Sequence, residues 1–152
     1  MRGKPLAGRS VVVTRPAQQA QAFARLVSGA GGRPILFPAI EIREMEDSGP
    51  FARLVDRLDD FDLAIFVSPN AVERAMGLIR GRRAFPPRLR VATVGGGSVR
   101  ALERFGITGV LAPQGRFDSE ALAELPELAA MNGWRVVIFR GAGGRETLGE
   151  VL

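Results

Sequence analysis

Apolar residues along this chain fall into short blocks, and each block is followed by a polar or glycine-rich turn and then a one-sided helical pattern. The event occurs four times, in "VVVTRPAQQA", "LAIFVSPNAV", "VATVGGGSVR" and "VVIFRGAGGRE". In the first helix Phe23, Leu26, Val27 and Ala30 stand at i, i+3, i+4 and i+7, which predicts an apolar face. Val72, Ala75, Met76 and Ile79 repeat that spacing in the second. Val99, Leu102 and Phe105 do so more briefly in the third, with Gly106 placed to stop it. Continuous apolar strands alternating with one-faced helices predict an α/β fold: parallel sheets with helices packed on their faces.

Shorter strand-like stretches lie between these units, at 33–38 ("RPILFP"), 39–44 ("AIEIRE") and 109–113 ("GVLAP"). In 39–44, Ile40 and Ile42 alternate with Glu41 and Arg43, the pattern of an exposed ribbon. It follows Pro38 and precedes the polar stretch "EMEDSGP", which marks it as a crossing between domains. Residues 1–38 then amount to a βαβ fragment, far short of the residues a stable domain usually needs, so its partner strands must come from elsewhere.

Composition narrows the chemistry. The 152 residues are 46% hydrophobic and 24% charged, in keeping with a packed core. No apolar run reaches the roughly 18 residues of a membrane span, and the N-terminus has no signal-peptide core, so a cytoplasmic protein is expected. The chain has no Cys, His or Tyr, which removes thiolate chemistry and the commonest general base and metal ligand. Disulfides, thiolate zinc sites and cysteine nucleophiles are excluded with them. The net charge is +5, and Lys4 is the sole lysine among 21 basic residues. Arginine pairs with carboxylate or phosphate through a planar fork, so an anionic partner is expected.

Ligands of parallel α/β sheets gather at the carboxyl ends of strands, where helix N-termini present free N–H groups. Four turns are therefore candidates. In "TRP", Thr14 and Arg15 end a strand and Pro16 stands at a first helical position; capping and anion binding both explain it. In "SPNAV", capping explains Ser68 and Pro69 but accounts less well for Asn70. In "VGGGSV", Gly96, Gly97 and Ser98 open a helix, but Arg100 stands where a dinucleotide fingerprint needs its third glycine. The last turn, with Arg140, Gly141, Gly143 and Gly144, fails in the same way at Glu146. Bare backbone amides suited to carboxylates or phosphates remain. Two other stretches read as structural: "FDSEALAEL" at 117–125 as a helix capped by Asp118 or Ser119, and the arginine-rich "IRGRRAFPPRLR" at 79–90 as a solvated loop.

The order of these motifs carries a resemblance. "GRSVVVTRP", "FPAIEI", "FDLAIFVSPNAV", "ATVGGGSVRALERFG", "FDSEALAELPEL" and "VVIFRGAGGRETL" follow one another as in the uroporphyrinogen-III synthase family, which the chain resembles over essentially its whole length. The resemblance implies two α/β domains joined by a two-stranded ribbon: 1–38 as the N-terminal part of a discontinuous first domain, 39–44 as a ribbon strand, 45–152 as the second domain without its C-terminal end. Such proteins run to roughly 250 residues, within the usual two-domain range. On that comparison the chain lacks the return ribbon, most of the first domain and the region of a proton-donating tyrosine, which leaves open whether a chain of this length is active or an inactive fragment. The full-length form is expected to be a monomer, and the unpaired first-unit edge points to self-association of the shorter chain. The implied reaction is a cofactor-free lyase step of heme biosynthesis, closing the linear tetrapyrrole hydroxymethylbilane into uroporphyrinogen III with inversion of ring D. It also implies that Thr14, Arg15, Ser68, Pro69, Asn70, Gly96, Gly97, Ser98, Arg140, Gly141, Gly143 and Gly144 bind the substrate; no catalytic residue is assigned. The residues alone leave two rivals: a non-catalytic anion-binding or regulatory α/β module, which needs acidic residues after a strand whereas Asp59, Asp60 and Asp62 precede one, and a nucleic-acid binder favoured only by charge.

Overall fold

The computed structural model describes residues 4–43 and 47–141. The chain divides into two compact units, Met1–Asp47 and Ser48–Leu152.

The first unit holds β1 (Ser10–Val13), α1 (Ala17–Gly29) and β2 (Arg33–Leu36). β1 and β2 pair in parallel, with Val12 opposite Ile35 and Val13 opposite Leu36. The helix buries Ala20, Ala24 and Val27 and leaves Leu26 69% exposed, so the face expected from Phe23, Leu26, Val27 and Ala30 is rotated. Two alanines one turn apart let the backbone settle close on a sheet only two strands wide, and the bulkier Leu26 is turned outward. The paired residues Val12 and Ile35, which share the other face, are 56% and 44% exposed. Residues 37–43 carry no strand in the structure. The ribbon expected at 39–44 is therefore an unpaired segment over its described part, held at its start by the Ala39 N–H donating to the Thr14 carbonyl at 3.1 Å. An exposed Arg43–Glu41 ion pair joins residues two apart, as extended backbone allows.

The second unit begins with α2 (Gly49–Asp56) and a short 3₁₀ turn (Leu58–Asp60). Then follow β3 (Leu63–Phe66), α3 (Pro69–Arg80), β4 (Arg90–Thr93), α4 (Gly96–Arg104), α5 (Ser119–Ala123), α6 (Pro126–Ala129) and β5 (Val136–Phe139). The strands form a parallel sheet in the order β4–β3–β5. The 109–113 stretch contributes a single bridge, Leu111 to Ala92, along the outer side of β4.

Every residue of central β3 is buried, and its alternation feeds two cores. Ala64 and Phe66 pack with Val72, Met76, Ile79 and Leu102 of α3 and α4, while Leu63 and Ile65 pack with Leu122 and Leu128 of α5 and α6. The α3 face predicted at Val72, Ala75, Met76 and Ile79 is fully inside. Phe66 stacks on Phe139 across β3 and β5, with centroids 4.7 Å apart. α4 ends as its glycine predicts: Gly106 takes φ +75°, its N–H bonds the Glu103 carbonyl, and the Ile107 N–H bonds the Leu102 carbonyl.

Candidate functional site

In the second unit the three strands end flush, since Phe66 is in register with both Thr93 and Phe139. Two bonds lock that edge. The buried Thr93 hydroxyl donates to the Phe66 carbonyl at 2.6 Å, and the Val67 N–H donates to the Phe139 carbonyl at 3.2 Å. The turns after β3, β4 and β5 consequently leave the sheet at one level.

Ser68 is the N-cap of α3; its Oγ accepts the Ala71 N–H at 3.1 Å, and Pro69 opens the helix behind it. Asn70 is half-buried in the first turn. The α4 turn lies beside it: a Cβ placed on Gly97 would stand 3.3 Å from Pro69 Cγ, so glycine is what lets the two turns sit this close. Gly95 caps α4 in extended backbone, and the Ser98 and Val99 N–H groups bond its carbonyl. The amides of Gly96 and Gly97 precede any intrahelical acceptor and are left for an outside group. Ser98 is 2% exposed, and among the described residues its hydroxyl makes no hydrogen bond. Because among the described residues no fully occluded side-chain oxygen lacks a partner, that hydroxyl retains an opening to solvent. Arg140 and Gly141 follow β5 at the same edge, both exposed. Gly143 and Gly144 lie outside the described residues.

Thr14 and Arg15 follow β1 in the first unit. α1 starts at Ala17, so Pro16 is the N-cap rather than the first helical residue. Among the described residues the Thr14 hydroxyl bonds nothing, which removes capping as its explanation. Arg15 lies over the Phe23 ring, 5.0 Å from its centroid. A groove of about 470 Å³ opens beside the start of α1, lined by Pro16, Ala17, Gln18, Pro38, Ala39, Ile40, Glu41 and Ile42.

The charged stretches resolve as structure. Arg82 clasps Asp56 through two bonds of 2.9 and 2.7 Å. That hydrogen bond, before the surrounding charges, holds the Asp56 carboxyl below its ordinary range and raises the Arg82 guanidinium. Arg83 pairs with Asp59 and donates to the Asp56 carbonyl, and Arg80 donates to the Phe105 carbonyl with its guanidinium over that ring. The 79–90 arginines thus close the base of the sheet. Asp62 sits at that base too, accepting the Arg135 N–H at 2.8 Å, so the acidic residues face away from the flush edge. Asp118 caps α5 by accepting the Ala121 N–H at 2.7 Å and pairs with Arg116, whose guanidinium it holds above its ordinary value.

Two neighbours of the edge were not singled out by sequence. Arg100 appears there only as a mismatch to a fingerprint, yet its Nη1 lies 3.6 Å from where a Cβ on Gly96 would stand. Phe117 disappears into a helix-capping stretch, yet its side chain lies against Gly95. The one available signal for Phe117 was an apolar residue isolated in the polar run "QGRFDSE". Among the described residues no helix is long and apolar enough to cross a membrane.

A family model described as uroporphyrinogen-III synthase HemD matches residues 21–152. A uroporphyrinogen-III synthase of Salmonella typhimurium is 34% identical over 144 residues, covering 94% of this chain and 58% of the relative. The Escherichia coli protein of that name is 32% identical with the same coverage, and the one from Synechococcus elongatus is 30% identical over the whole chain and 58% of its own length. This chain thus spans a little over half the length of these relatives. With the family model matching most of its length and relatives of that name at 30% identity or more, the chain, whose parallel sheets carry flanking helices, belongs to the uroporphyrinogen-III synthase family.

Proposed function

We propose that the protein carrying this chain is a uroporphyrinogen-III synthase, and that the flush edge of the β4–β3–β5 sheet holds carboxylates of its linear tetrapyrrole substrate, hydroxymethylbilane. The observation that carries this reading is the turn before α4: the Gly96 and Gly97 amides have no intrahelical acceptor, and beside them stands the Ser98 hydroxyl, which bonds nothing among the described residues. A carboxylate satisfies both kinds of donor. Thr14 and Arg15 are proposed to act in the same way in the first unit, with Arg140 adding charge.

In the proposed reaction the hydroxyl of the hydroxymethyl group takes a proton and leaves as water, and its carbon stays behind as the electrophilic methylene of an azafulvene. The substituted carbon of the terminal ring D attacks it, forming a spiro intermediate. The misplaced bond breaks and the ring recloses through its other carbon with loss of a proton, so ring D is inverted. What this chain's residues supply is orientation. Holding several carboxylates fixes a flexible chain in a closing geometry, the effect that converts an improbable encounter into a unimolecular step. The backbone amides are dipoles preset near the developing charge distribution and need no reorganisation.

The alternative is a non-catalytic anion-binding module, which the same amides would serve. One assay separates the two. Fresh hydroxymethylbilane is incubated with the protein, the product is oxidised, and isomers I and III are resolved. Isomer III in excess is expected; isomer I alone, at the rate without protein, would leave binding as the function of this chain.

A further inference from the structure

Phe117 is one of two large apolar side chains that the described part of the second unit leaves exposed, the other being Leu78 on the flank of α3. It is 66% exposed and belongs to no core cluster. Its place is nevertheless fixed. The preceding strand-edge segment is tied to β4 by the Leu111 N–H to the Val91 carbonyl and by the Thr93 N–H to the Leu111 carbonyl, at 2.9 and 2.8 Å. The residue before it, Arg116, pairs with Asp118 and Glu124, and the residue after it, Asp118, caps α5. Between these anchors the Phe117 side chain lies across Gly95, its Cβ and Cδ1 3.5 Å from where a Cβ on that glycine would stand. On the next residue of the turn, Gly96, rests the guanidinium of Arg100, which has no carboxylate partner among the described residues.

An aromatic side chain held open to water on one side, next to an uncommitted guanidinium, matches a flat ring that bears a carboxylate. We infer that Phe117 is a substrate-contacting residue: a pyrrole ring of the tetrapyrrole stacks on it while Arg100 takes that ring's acidic side chain, an inference that rests on the tetrapyrrole reading of the same turns. Ring-on-aromatic stacking is sequence-tolerant in the sense that it needs a π-face and little else. The guanidinium adds a planar, permanently charged partner for the carboxylate. The pair thereby sets which way one pyrrole lies across the turn, a geometric demand of any reaction that must choose between the two α-carbons of a terminal ring.

The test is anaerobic titration calorimetry of the chain with uroporphyrinogen III, comparing wild type with Phe117→Ala, Phe117→Leu, Phe117→Trp and Arg100→Gln. Far-UV circular dichroism and urea unfolding are run alongside; both side chains are exposed, so neither readout is expected to move. Phe117→Ala and Phe117→Leu are expected to weaken binding about five- to hundredfold, and Phe117→Trp to retain it. Arg100→Gln is expected to weaken binding in low salt, with the difference shrinking as salt is added. Wild-type affinity in Phe117→Ala would overturn the inference while leaving the tetrapyrrole reading intact. Wild-type affinity in Phe117→Leu alongside a weak alanine variant would replace stacking by plain apolar contact and overturn it equally. No binding by the wild-type chain would remove the tetrapyrrole reading itself, and the inference with it.

Discussion

β1 and β3 begin from nearly the same sequence event, a four-residue strand, SVVV in one and LAIF in the other, ending at a turn that opens a helix. Their fates differ completely. β3, with strands on both sides and helices on both faces, buries all four residues. β1, with one neighbour and one helix, buries only Val13 and leaves Val12 more than half exposed. Local sequence decides that a strand forms; its neighbours decide what the strand is worth. An apolar side chain contributes in proportion to the area it takes out of water, so the same valine or phenylalanine is decisive in one unit and nearly neutral in the other.

The largest expected effect tests that contrast directly. Phe66→Ala removes a fully buried ring stacked on Phe139, and should cost about 3–5 kcal/mol in urea unfolding. Val12→Ala in the first unit should cost less than about 0.5 kcal/mol. Equal losses would break the comparison. Next comes Thr93→Val, which keeps the shape but strips the buried Phe66 carbonyl of the hydroxyl that locks the strand ends; a loss of about 1–3 kcal/mol is expected from the same unfolding curves.

Smaller again are the caps. Ser68→Ala and Asp118→Ala each remove a side-chain acceptor from a helix start and should lower stability by about 1 kcal/mol. The smallest effect is the exposed Arg82–Asp56 pair. Asp56 is held below its ordinary value in the folded chain, so its contribution is present above about pH 4 and is lost as pH falls through the lowered value. Arg82→Ala should therefore lower Tm slightly at pH 7, and the decrement should vanish in strong acid or high salt. A decrement that grows on acidification would contradict the pairing.

How far the sequence reached follows the same division. The α3 face was legible because its four apolar residues point into a core made by elements close in the chain. The α1 face was misjudged because the two alanines that pack on β1 and β2 carry little hydrophobic signal beside Leu26 and Phe23. The pattern at 39–44 predicts a strand where 39–43 carry none, because alternation records which side chains would share a face, not whether a partner strand is present. Glycines and hydroxyls marked the turns correctly as strand ends. Phe117 escaped because its contact with Gly95 is made by the chain folding back along β4, which no local spacing encodes, whereas Arg100 stands one helical turn after Gly96, a spacing the sequence does hold.

The central claim is that these turns bind tetrapyrrole carboxylates, and Thr14 with Ser98 tests it most cleanly. Neither hydroxyl bonds anything among the described residues, so removing both should leave unfolding unchanged. The measurement is the affinity of the Thr14→Ala, Ser98→Ala double variant for uroporphyrinogen III against that of the wild-type chain. The account predicts roughly tenfold weaker binding at unaltered stability, the loss expected from charge-assisted hydrogen bonds. Equal affinity in the two proteins would contradict it.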